Sequence, residues 1–259
     1  MIADGYDAFL FDLDGVLYRG ADPVPGAAES LARLRSIGKR IAFVTNNSGL
    51  TPTAVAERLR SVGVEARADE VETSALTTAA VLSGRGVGLV YVVGEIGLVE
   101  ALTQAGVHVL DGEPERVDAV VVGWDRGADY TKLRTASVLV ERGATLVATN
   151  ADPSFPAADG TRWPGAGALL AAIETTTGVR GEVIGKPHAP LLLAALERAG
   201  GGTPLLVGDR LDTDIAGAAN LGWDSMLVLT GIDDRDRAAS SMVRPTYVAE
   251  DLSGLFAGY

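Results

Sequence analysis

Short apolar runs that stop abruptly at polar clusters constrain the fold of this chain more than any other feature. Residues 8–11 (Ala-Phe-Leu-Phe) end at Asp12, residues 41–44 run into Thr45, and residues 205–207 lead to Gly208 and Asp209. Between the first two lies a helix-period segment, 27–37, closed by Gly38; after the second, Thr51 and Pro52 open another helix that Gly63 closes. Proline in a first turn and glycine after a last turn open and end helices at little cost. The alternation returns after Asp209, with a helix to Leu221 and Gly222 and an apolar run over 226–229. Short buried strands alternating with helices form βαβ units around a parallel sheet. The predicted fold class is therefore α/β, with a Rossmann-like parallel-sheet core.

The middle of the chain reads as a second βα module. Strand-like runs fall at 89–93, 107–110, 119–122 and 146–148, and helix-like runs at 96–105 and 130–141. Glycine-rich stretches at 83–88 and 177–181 are hinge candidates. The expected organisation is a discontinuous core of residues 1–83 and 180–259 with an inserted α/β cap domain, 84–179, able to move as a lid.

Composition excludes several functions. Lys plus Arg is 22 against 34 Asp plus Glu, a net charge of −12, so phosphate backbones of nucleic acids are poor partners. The absence of cysteine removes disulfides, zinc–thiolate sites and thiol catalysis. No run of 18 apolar residues occurs, so no membrane span is expected, and the acidic N-terminus lacks the basic start of a signal peptide. The expectation is a soluble cytoplasmic protein. Lysine is scarce at three positions, Lys39, Lys132 and Lys186, which draws attention to each of them.

Four polar clusters follow strands. In Asp12-Leu13-Asp14-Gly15, strand period puts both carboxylates on one face. Ligands of open α/β sheets bind beyond the carboxyl ends of strands. Two such close charges repel unless one is protonated or a cation lies between them, and Mg²⁺ is the natural oxygen-liganded cation. A simple Asp-Gly turn is the competing reading. Thr45-Asn46-Asn47-Ser48 supplies neutral donors for an anion, or else an Asx turn. In Gly185-Lys186-Pro187 the lysine can hold a phosphate oxygen or damp carboxylate repulsion, or be a surface lysine before a helix. Asp209, Asp212 and Asp214 can complete a metal shell, or simply favour a helix start.

The ordered set DLDGVLYRG, TNNS, GKP and GDRLDTDI resembles the four motifs of the haloacid dehalogenase-like hydrolases, class IIA in particular, the group of 4-nitrophenylphosphatases and pyridoxal phosphatases. The resemblance extends over essentially the whole chain, since GWDRGADYTKL and ATNADPSFPAADGTRWPGAGALLAAIE are similar to the cap of that group. It implies a phosphatase in which Asp12 attacks phosphorus to form an aspartyl-phosphate and Asp14 serves as acid and base. It further implies that Thr45, Asn46 and Lys186 bind the phosphoryl group. Mg²⁺ would then be held by Asp12, the backbone carbonyl of Asp14, and Asp209, with Asp214 orienting metal waters or Lys186. The expected partner is a small phosphorylated metabolite, with no nucleic acid and no membrane. Caps of the group often dimerise, which implies a homodimer through the cap. Phosphoryl transfer to an acceptor other than water, and a catalytically weak small-molecule binder on the same fold, are the alternatives.

The loop 150–161 resembles the segment of that group that reads the substrate, so Ser154 and Phe155 are candidate specificity residues. Pyridoxal phosphatases tend to carry a histidine near the position of Phe155, and a core aromatic is the other reading of that side chain. His108 is expected to be structural, and His188 to cap a helix or line the cleft. The run Asp233-Asp234-Arg235-Asp236-Arg237 reads as a solvated, charge-mixed loop.

Overall fold

The computed structural model describes residues 1–156 and 161–258. It divides into two compact units, one of residues 1–45, 52–72 and 186–259, the other of 46–51 and 73–185.

The first unit is built on a six-stranded sheet in the order Tyr247–Ala249, Asp224–Val228, Pro204–Gly208, Ala8–Phe11, Arg40–Thr45, Val71–Thr73. The register is parallel from Tyr247–Ala249 through to Arg40–Thr45. Ala8–Phe11 is the hub. All four of its side chains are fully buried, because strand period sends Ala8 and Leu10 to one face and Phe9 and Phe11 to the other. Ala8 and Leu10 pack with Leu191, Leu192 and Ala195 of the helix Ala189–Arg198. Phe9 and Phe11 stack at 6.3 Å. The chain leaves the hub toward Arg40–Thr45 and later returns to its other side through Pro204–Gly208, so strand order reverses there. A crevice at such a reversal, outside the carboxyl ends, is where α/β sheets bind ligands. The expected helix after Asp209 begins instead as a wide turn, Leu211–Ile215, in which Asp214 N and Ile215 N both donate to Arg210 O, before the short helix Ala216–Asn220.

The second unit has a parallel five-stranded sheet in the order Glu182–Val183, Thr145–Ala148, Ala119–Val122, Leu89–Val93, His108–Val109. Val90, Val92 and Val121 pack on one face against the helices Ser74–Gly84 and Ile96–Gln104. Tyr91, Val93, Val120 and Val122 pack on the other against Tyr130–Glu141 and Ala166–Thr177. An antiparallel hairpin pairs Ser154–Pro156 with Arg162–Pro164.

The division differs from the expected boundaries at 84 and 179. The helix Ser74–Gly84, capped by Thr73 Oγ1 accepting from Leu76 N, buries Ala75, Ala79 and Leu82 in the second unit's core. Both glycine-rich stretches therefore lie inside the second unit: 83–88 links that helix to Leu89–Val93, and 177–181 leads into Glu182–Val183. Among the described residues no helix is long and apolar enough to cross a membrane.

Candidate active site

The polar residues that follow the first unit's strands meet at the reversal point. Lys186 Nζ donates to Asp12 Oδ1 and to Asp214 Oδ1, each at 2.6 Å. Lys186 is only 3% exposed and Asp214 is fully buried. Asp12, Asp209 and Asp214 each place a carboxylate oxygen within 4.8 Å of the others. Burial raises the Asp12 carboxyl above the ordinary range, against the attraction of Lys186, and the charge of Asp14 adds to the rise. Burial raises Asp209 well above it too, with Asp12 and Asp214 contributing repulsion. Asp214 is pushed up to about 6 by burial despite Lys186. Burial alone would lower the Lys186 ammonium, but its two carboxylates outweigh that and raise it.

Asp14 is held separately. Glycine at position 15, with φ of +81°, turns the chain so that Gly15 N donates to Tyr18 O at 2.7 Å and a hairpin follows, Tyr18–Arg19 with Asp22–Pro23. Burial raises the Asp14 carboxyl, while the Arg58 charge and hydrogen bonds from the Gly15 and Gly20 backbone oppose the rise. The Arg58 guanidinium lies 4.4 Å from the Tyr18 ring centroid and donates to Gly20 O at 2.9 Å.

Asp209 Oδ2 accepts from Ile232 N at 2.8 Å, whereas Asp209 Oδ1 is buried with no hydrogen-bond partner. A buried, unpartnered carboxylate oxygen is costly unless a cation meets it. Three carboxylates, Asp12, Asp209 and Asp214, cluster at one buried lysine, and every candidate donor is an oxygen, which suits a hard divalent ion. Gly15 and Gly231 both lie against Asp209, so that a Cβ at either would collide with its carboxylate. The residues present therefore fit a divalent cation at Asp12 and Asp209.

Two family profiles match the chain, haloacid dehalogenase-like hydrolase over residues 9–108 and HAD-hydrolase-like over residues 183–255. Acid sugar phosphatase of Staphylococcus aureus is 40% identical over 251 residues, 96% of each chain. The chain belongs to the haloacid dehalogenase-like hydrolases. Among solved structures of the family, glycerol phosphate phosphatase of Mycobacterium tuberculosis, in complex with magnesium, is 37% identical with a TM-score of 0.93, covering 98% of this chain and 77% of that one. The 4-nitrophenylphosphatase of Thermotoga maritima is 32% identical with a TM-score of 0.91, covering 99% of both. These relatives make this haloacid dehalogenase-like hydrolase a phosphatase, of the class IIA kind.

The remaining predicted residues of this hydrolase are distributed between its units. Thr45, buried, closes the strand beside Ala8–Phe11 in the first. Asn46 opens the segment that clusters with the second. Asn47 makes the Asx turn, its Oδ1 accepting from Gly49 N at 2.8 Å, and Ser48 Oγ accepts from Trp124 N at 3.1 Å. Ser154 and Phe155 lie in the second unit's hairpin, where the Phe155 ring meets Trp124 at 4.5 Å between centroids. Residues 157–160 of their loop fall outside the described residues. His108 is exposed on its strand, and His188 is exposed at a helix start where its side chain makes no capping hydrogen bond.

In the charged run at 233–237, residues 234–237 are solvated as expected, but they open a helix rather than a loop, and Asp233 is buried. Asp233 is 6% exposed and its Oδ2 accepts from Leu211 N at 2.7 Å, while Asp234 caps the helix Arg235–Ser240. Asp233 N also donates to Asp209 O, so this segment frames Asp209. Sequence reasoning missed that role, although Thr230-Gly231 directly after the strand Asp224–Val228 and Leu229 was a fifth strand-end cluster.

Proposed function

We propose that the enzyme is a Mg²⁺-dependent phosphatase that hydrolyses small soluble phosphate monoesters through an aspartyl-phosphate. The observation that carries this reading is Lys186 clamped between Asp12 and Asp214 beside the unpartnered oxygen of Asp209. An Asp12 carboxylate oxygen bonds to phosphorus as the ester P–O bond breaks, and Asp14 gives its proton to the departing oxygen. Asp14, now a carboxylate, then takes a proton from water as that water attacks phosphorus, releasing inorganic phosphate and restoring Asp12. The burial that raises the Asp14 carboxyl suits it to start as the acid. Thr45 and Asn46 donate to phosphoryl oxygens, and Lys186 opposes their charge while keeping Asp12 aimed. Asp12, the Asp14 carbonyl and Asp209 would hold Mg²⁺, with Asp214 fixing Lys186; when bound, the ion offsets the charge shared by Asp12 and the phosphoryl group. The residues 73–185 act as the cap, with Ser154 and Phe155 reading the substrate. Relatives named acid sugar phosphatase and glycerol phosphate phosphatase support a polyol or sugar phosphate as the natural ester.

Single-turnover kinetics on 4-nitrophenyl phosphate test the roles. Asp14→Asn keeps the nucleophile, so it should show a nitrophenolate burst and covalent phosphate on the protein; Asp12→Asn should show neither. General acid catalysis is worth about 10²–10⁴-fold, and nitrophenolate leaves almost unaided, so the Asp14→Asn burst should slow far more with an alkyl ester. Phosphate bound covalently to Asp12→Asn, or equal slowing on both esters, would overturn the assignment.

A further inference from the structure

Asn46 is gripped by residues of the second unit. Its backbone carbonyl accepts from Ser74 Oγ at 2.6 Å and from Asn150 Nδ2 at 2.7 Å. Its side-chain Nδ2 donates to Asp152 Oδ2 at 3.1 Å. Asn150 Oδ1 in turn accepts from Asp152 N at 3.1 Å, which closes a ring of hydrogen bonds through residues 46, 150 and 152. Ser74 is fully buried and Asn150 is 3% exposed, so the ring has a rigid base. On the opposite side Asn46 Oδ1 rests against the bare Cα of Gly185, where a Cβ would come within 2.6 Å of it.

An amide has a donor end and an acceptor end of nearly equal size, and what it faces decides which way round it sits. An ionised carboxylate only accepts hydrogen bonds, so Asp152 admits the NH₂ end and rejects the carbonyl end. A phosphoryl group makes the same demand. From this we infer that Asp152 is a positioning residue for phosphoryl binding: it fixes the flip state of the Asn46 amide so that the NH₂ end is directed to phosphoryl oxygens. Asn150 and Ser74 anchor the backbone beneath it. The inference rests on the assignment of Asn46 as a phosphoryl ligand.

A double-mutant cycle in the full-length enzyme tests this, using kcat/KM for 4-nitrophenyl phosphate and glycerol phosphate and the inhibition constant of inorganic phosphate. A hydrogen bond to a charged group is worth about 10- to 150-fold, which is the expected loss in Asn46→Ala. Asp152→Ala should lose part of that, equally on both esters, and weaken inorganic phosphate in proportion. In the Asn46→Ala background, Asp152→Ala should change nothing further. Asp152→Asn, which keeps the shape but accepts either flip state, serves if the alanine variant does not fold, and should show a smaller loss that likewise vanishes without Asn46. A loss that persists in the Asn46→Ala background, or one confined to glycerol phosphate, would mean that Asp152 acts on its own or touches substrate hydroxyls, and would overturn the inference while leaving Asn46 in place. Full activity of Asn46→Ala alone would overturn both the inference and the assignment beneath it.

Discussion

Replacing Lys186 by Met keeps an unbranched chain of similar length but removes the buried charge that Asp12 and Asp214 share at 2.6 Å each. Both partners, together with Asp209, would be left in a buried cluster with no lysine among them. Breaking a buried pair from one side costs about 3–5 kcal/mol, because the abandoned charge is not resolvated. For a chain of this size each kcal/mol lowers Tm by about 2–4 °C, so a drop of roughly 6–20 °C is expected in metal-free protein at about pH 8. The penalty belongs to ionised carboxylates. Losing Lys186 raises their folded pKa values further above the unfolded value, so the deficit is greatest above those values and shrinks as pH falls toward about 4. Thermal melts of the two proteins in chelator at about pH 8 and about pH 5 provide the comparison. Equal Tm values at the higher pH, or a deficit of the same size at both, would refute the account of Lys186 as the counter-charge of this cluster.

Asp214 sets a second pH dependence, since its folded pKa is about 6 against an ordinary 3.8. The native state then holds this proton more tightly than the unfolded chain, so the associated stability is present below about pH 4 and lost as pH rises through about 6. A cation replaces protons at such a cluster, so saturating Mg²⁺ should raise Tm more at about pH 8 than at about pH 5; a larger gain at the lower pH would contradict this. Phe155→Ala removes a ring contact worth about 0.5–1.5 kcal/mol against Trp124. It should redistribute relative rates among natural phosphates while sparing 4-nitrophenyl phosphate, and a uniform loss on every ester in a metabolite panel would mark the ring as purely structural.

The hub strand and the strand-end acids were legible because both depend on local pattern. Four consecutive apolar residues must be buried on both faces, and the acid that follows them must sit at the carboxyl edge of the sheet. The helix Ser74–Gly84 carried a weaker signal. Its buried side chains are mostly small and mixed, Ser74, Ala75, Thr77, Thr78 and Ala79, with no polar stripe to set a helical period. Its membership of the second unit follows from packing against Val90 and Leu98, which only tertiary structure reveals. The Asp233 run misled for a related reason. Charge density predicts solvation, which holds for residues 234–237, but Asp233 is buried on the Leu211 amide and Asp234 caps a helix start. The site split the same way: Lys186 stood out by the scarcity of lysine, whereas Asp152 and Asn150 gained meaning only when the fold set them around Asn46.

The path of the chain also bears on how enzymes of this architecture can exchange parts. The backbone passes between the units at 45/46, 51/52, 72/73 and 185/186, so the second unit is not one contiguous cassette. A graft that swaps only residues 73–185 would leave 46–51 behind. The carbonyl of Asn46 would then meet whatever the donor sequence supplies in place of Ser74 and Asn150, and Ser48 would meet a foreign loop in place of the Trp124 amide. Recombination that alters substrate choice without dismantling the TNNS turn must therefore preserve those three contacts or carry the hexapeptide along with the insert.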